Sequence, residues 1–115
     1  MKIATVRRFA LGLADVTEAP HHHFGSFRVG GRIFVTLPPD GASINVFVPE
    51  DLRAPVLAVH GDYVQKLFWG GKVVGLQIAL HGANPKVVKA LICAAWKAKR
   101  GPTKLTTSAT SVRGS

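Results

Sequence analysis

Two adjacent glycines, Gly30-Gly31, stand between the runs "SFRV" and "RIFVTL". Both runs are rich in β-branched and aromatic residues. A Gly-Gly pair takes the positive φ angles of a two-residue hairpin turn without steric cost, so the segment 26–37 is committed to an antiparallel ribbon. A two-residue turn sets Phe27 opposite Phe34, packed on one face. "PPDG" at 38–41 is a second turn. Beyond it "ASINVFV" alternates, with Ile44, Val46 and Val48 on one side, and extends the ribbon to a meander. Gly70-Gly71 is a further turn, followed by the strand-like "KVVGLQIAL". An isolated ribbon is marginal in water, so these strands need helices to cover one face.

Three helices are predicted. In residues 2–13, Ile3, Val6, Ala10 and Leu13 recur at helical spacing, with Phe9 adjoining, and Asp15 and Thr17 break the pattern. "EDLRAPVLAV", after Pro49, is a short second helix with Glu50 and Asp51 in its first turn and a kink or split expected at Pro55. "HGDYVQKLFW" is ambiguous between the two periods. Asn84-Pro85 opens the last helix as N-cap and first helical residue, and Gly101-Pro102 stops it after Arg100. The fold class is α+β: an antiparallel sheet of about four or five strands with the first and last helices on one face. Residues 1–101 form a single domain. Residues 102–115, "PTKLTTSATSVRGS", lack apolar periodicity and read as a flexible basic tail rich in Ser and Thr.

Charge narrows the function. Residues 1–62 hold six basic residues and all six acids; residues 63–115 hold nine basic residues and no acid, so the net +9 lies wholly in the second half. This asymmetry points to a polyanionic partner. On the last helix Val87, Val88, Leu91, Ile92 and Ala95 share the core face, whereas Lys86, Lys89, Lys97 and Arg100 share the opposite one, with Cys93 in their midst and Trp96 at the border. A solvated helix face ordinarily mixes signs. This one has no acid, and Lys99, Lys104 and Arg113 extend its field.

The lone Cys93 excludes an intrachain disulfide and suits a reducing compartment, and no apolar run approaches the roughly 20 residues of a membrane span. Arg7 and Arg8 interrupt any signal-peptide core, so the start reads as mature cytoplasmic sequence and a monomer is expected. His21, His22 and His23 suggest a metal, but a site needs further ligands at a defined spacing, which His60, His81 and Cys93 do not supply. They are expected as an exposed histidine loop, with no cofactor. No nucleophile–base constellation is recognisable, and neither glycine pair opens a helix as a phosphate loop does, so an enzyme is not expected.

"VTE" at 16–18, "SFRVGGRIF" at 26–34, "FVPED" at 47–51 and Trp69-Gly70 before the late strand resemble the MmcQ/YjbR family over roughly residues 5–100. In that family a Leu-Pro-Gly-Val-Thr-Glu helix end leads into a Phe-Arg-Val-Gly-Gly-Lys-Phe-like hairpin. Here Ala14-Asp15 replaces Pro-Gly, Arg32 keeps the positive charge, and Phe47 stands where a basic residue is frequent. The resemblance implies a small bacterial protein with a CyaY-like (frataxin-like) fold of double-wing type, described as DNA-binding, with no catalytic residues to carry over. It places the histidines in the connection before the hairpin. Frataxins hold iron on an acidic surface, and this chain has the opposite charge.

Three readings follow. The first is a DNA-binding module that grips the phosphate backbone through Arg28, Arg32, Lys66, Lys72, Lys86, Lys89, Lys97 and Arg100. The second is a module that meets an acidic protein partner with the same face. The third is a small-molecule or metal-binding protein with Trp69, Tyr63 and the histidines around a pocket.

Overall fold

The computed structural model describes residues 1–101; the expected tail, 102–115, lies outside the described residues. The element order is α1 (Ile3–Leu11), β1 (Val16–His21), β2 (Phe24–Val29), β3 (Arg32–Leu37), β4 (Ser43–Val46), α2 (Glu50–His60), β5 (Val64–Trp69), β6 (Lys72–Ala79) and α3 (Pro85–Arg100). The strands form one sheet in the order β1-β2-β3-β4-β6-β5, antiparallel throughout. The α+β class is as expected, but the sheet has six strands rather than four or five. The additional strands are its edges, β1 and β5. None of the helices in the described residues is long and apolar enough to cross a membrane.

Both Gly-Gly pairs make the tight turns that the sequence demands. Gly30 and Gly31 have φ of 58° and 78°, and Gly70 and Gly71 have 56° and 81°. Each hairpin then carries a bulge at the same distance from its turn. In the first, Val29 pairs with Arg32 and Arg28 with Ile33, but Phe27 pairs with Val35. In the second, Trp69 pairs with Lys72 and Phe68 with Val73, but Leu67 pairs with Gly75. The expected Phe27–Phe34 pairing is therefore corrected by one residue. The extra residue in β3 is Phe34, which is fully buried, as is Val35 beside it.

One face of the sheet carries Phe27, Val35, Ile44, Val46, Leu76 and Ile78, all fully buried, and the helices cover it. Val6 and Ala10 of α1 and Val88, Leu91, Ile92 and Ala95 of α3 complete this core, in the phase expected for α3. The Asn84 side chain accepts a hydrogen bond from the Lys86 N–H at 2.9 Å and caps α3. At the other end the Gly101 N–H donates to the Lys97 carbonyl, with Gly101 at φ 83°. The Trp96 indole N–H donates to the Ala14 carbonyl at 3.0 Å and ties α3 to the turn after α1. The expected split does not occur: α2 is one helix with an exposed Pro55 inside it. Arg53 anchors it to the sheet by donating to the carbonyls of Val48 (2.8 Å) and Val73 (2.9 Å).

The opposite face of the sheet is polar along its middle. Register places Ala19, Ser26, Thr36, Asn45, Gln77 and Gln65 side by side across all six strands. Asn45 donates to the Thr36 hydroxyl at 3.0 Å, and Gln65 donates to the Gln77 side-chain carbonyl. The buried Asn45 Oδ1 has no protein partner among the described residues.

Candidate nucleic-acid interface

A cleft of about 480 Å³ opens between the two bulged hairpins. Arg28 and Ile33, a cross-strand pair, form one wall with Gly31 and His21; Trp69 and Val74 form the other. Phe47, almost fully buried just beyond β4, and Lys99 of α3 complete the lining.

Each side chain is held by its local structure. The Arg28 Nε donates to the Ser26 hydroxyl and one terminal nitrogen donates to the Pro20 carbonyl, both at 3.2 Å. The Ser26 hydroxyl is itself fixed by donating to the Ala19 carbonyl at 2.7 Å. A guanidinium has five N–H donors in a rigid fork, so three remain for a ligand. Trp69 closes β5 beside its Gly-Gly turn and is 51% exposed. Its ring meets Phe47 edge-to-face, at 70° and 5.1 Å between centroids. The Lys99 ammonium stands 5.7 Å from the centre of the same Phe47 ring. A cation over an aromatic face is attracted by the ring quadrupole, which holds Lys99 toward the cleft. The position at which the family resemblance suggests a basic residue is thus aromatic, and a lysine from another element approaches it.

The structure divides the remaining candidate cations. Arg32 and Lys72 are exposed beside the two turns. Lys66 is exposed but pairs with Leu76, so it points to the helix-bearing side of the sheet, away from Arg28. On α3 the stripe is real but uneven. Lys86 and Lys97 are exposed, whereas Lys89 leans over the Phe9 ring (5.6 Å) and Arg100 over Trp96 (4.9 Å). Cys93, half-buried, opens onto a shallow groove with Pro49, Leu52 and Lys97, so one lysine of the stripe stands beside it.

Among the described residues the one ion pair is Arg7–Glu18, at 3.1 Å. None of the eight candidate cations is therefore neutralised by a described carboxylate. Asp40 accepts from the Ala42 N–H, and Glu50 and Asp51 occupy the first turn of α2, where the helix dipole favours them.

The histidines differ from expectation. His21 ends β1 and is half-buried in the cleft wall, stacked edge-on against His22 at 4.7 Å; His22 and His23 are the exposed turn. No group of three His, Cys, Asp or Glu side chains among the described residues is placed to hold a metal. Tyr63 bonds to His60 Nδ1 at 3.1 Å just before β5, at the opposite end of that strand from Trp69, so the expected Trp69–Tyr63–histidine pocket is not assembled.

Sequence reasoning left Lys99 out of the site. The signal was present: Lys99 lies four residues after Ala95 and seven after Ile92, in phase with the core. A lysine there must reach beyond the core, and this one reaches Phe47.

A comparison with protein-family models matches residues 11–98 to the model described as YjbR. No curated protein and no solved structure matches the chain.

Proposed function

The chain belongs to the YjbR family, and on that premise we propose that it binds DNA mainly through the phosphate backbone. The observation that supports this reading is the set of unneutralised cations. Arg28 and Lys99 flank the cleft, Arg32 and Lys72 stand at the turns beside it, and Lys97 and Arg100 lie on the last turns of α3, with no described carboxylate paired to any of them. Soluble domains ordinarily intersperse both signs. Six cations without an ion-pair partner leave a field that a polyanion relieves, and it acts on phosphates without reading bases.

The test is a fluorescence titration of duplex DNA at two salt concentrations. Backbone binding predicts a log–log salt slope near 0.9 for each phosphate neutralised, so four to six contacts give a slope of roughly 4 to 5. Absence of binding to any nucleic acid at low salt refutes the reading. Retention on heparin combined with that result would turn the same surface into a docking face for an acidic protein.

A further inference from the structure

We propose that the cleft between the hairpins holds an unpaired nucleobase, stacked on Trp69, with the flanking phosphates on Arg28 and Lys99. The protein on this view prefers single-stranded to duplex nucleic acid. This rests on the nucleic-acid reading above and adds which form of the polymer the site takes.

The first argument is Trp69 itself. A hairpin turn set by two glycines needs no tryptophan beside it. An exposed aromatic on a basic surface is the usual platform for an unstacked base, because every base offers a π-face. Phe47 buttresses the indole edge-to-face and limits its rotation, while half of the Trp69 surface stays in solvent.

The second argument is size. A cleft of about 480 Å³ lies within the range of small-ligand sites. That volume suits a ligand the size of one nucleotide and is far too small to enclose a duplex.

The third argument is the placement of charge. Phosphates lie on either side of a base along a strand. Arg28 belongs to the first hairpin and Lys99 to the end of α3, so the two cations approach the cleft from different elements. Arg28 is preorganised by Ser26 and Pro20 and retains three donors. A surface built only for a duplex backbone would gain nothing by lining a cleft with a fixed guanidinium, a lysine and an indole together.

The experiment compares a thymidine 20-mer, a mixed-sequence 20-base-pair duplex and thymidine monophosphate at one low salt concentration, by anisotropy for the polymers and tryptophan quenching for all three. Trp96→Phe serves as background so that Trp69 alone reports. The expected result is tighter binding of the single strand than of the duplex, with quenching of Trp69 by the single strand only. Trp69→Ala should weaken single-strand binding roughly ten- to hundredfold and leave duplex binding within about twofold, and Trp69→Phe should restore most of the loss. Equal affinity for strand and duplex, unchanged in Trp69→Ala, overturns base stacking and leaves backbone binding standing. Monophosphate binding as tight as the strand overturns the polymer as ligand. No binding of either polymer overturns this inference and the DNA-binding reading together.

Discussion

Gly75→Ala should destabilise the protein by about 2 kcal/mol, and the reason lies in the spacing of β4 and β6. A Cβ at Gly75 would clash with the Val46 carbonyl oxygen and stand 3.0 Å from the Phe47 Cα. Both are backbone atoms, one at the end of β4 and one just beyond it, so neither rotates aside. Reaching ordinary contact requires the strands to part by roughly 1 Å, beside the Val46–Leu76 pair, both fully buried. Overpacking of this kind costs about 1 to 3 kcal/mol, toward the upper end when the obstacle is backbone. Alanine also restricts the unfolded chain, which returns about 0.4 to 1 kcal/mol. In urea the midpoint should fall by about 1 M at unchanged slope, and Tm by roughly 10 °C. Gly25→Ala is the control. Its Cβ would meet the end of the Leu37 side chain at 3.3 Å, which can shift, so the loss should stay below about 1 kcal/mol. A Gly75→Ala loss under about half a kcal/mol, or one equal to that of Gly25→Ala, would refute the claim that this glycine sets the strand spacing.

Leu91→Ala should cost about 2 to 5 kcal/mol in the same assay, since Leu91 is buried between α3 and the sheet. Asn84→Ala removes the cap on α3 and should cost about 1 kcal/mol, whereas Asn84→Asp should cost less because its carboxylate still accepts from the Lys86 N–H. Lys97→Gln with Lys99→Gln should lower the salt slope of DNA binding by about 2. Lys2→Gln with Arg8→Gln removes the same charge from α1 and its N-cap and should lower it much less, as measured by titration at several salt concentrations. Arg7 is unsuitable as that control because its loss would strand Glu18.

What the sequence disclosed followed from local chemistry. The glycine pairs, the Asn84-Pro85 helix start and the apolar phase of α3 each act within a few residues, and all three stand as read. What escaped depends on partners remote in the chain. β1 contains Glu18 and Pro20 and buries little, since it needs only one neighbour at the sheet edge. β5 shows buried residues three apart, Val64 and Leu67, because its regular register puts the two on opposite faces of the sheet with Gln65 and Lys66 exposed between them, so period-2 reading fails there. Of the proposed site, Arg28 and Trp69 were visible as residue types. Their meeting across a cleft floored by Phe47 was not, because the bulges and the sheet order bring them together.

The polar row on the face opposite the helices also bears on how the chain finds its register. The β3–β4 ladder has only two registered pairs, Val35–Val46 and Thr36–Asn45, and is the shortest seam in the sheet. Two pairs give it few contacts of its own to fix the alignment. A slip of one residue would carry Asn45 beneath the helices and turn Val46 outward, leaving an amide in an apolar layer at a cost of about 1 to 3 kcal/mol by mutational measures. Only the native alignment gives the Asn45 amide its bond to the Thr36 hydroxyl. Asn45 therefore works as a proofreading contact: with one oxygen left unpaired, it contributes less to the stability of the correct sheet than to the rejection of its nearest wrong neighbour.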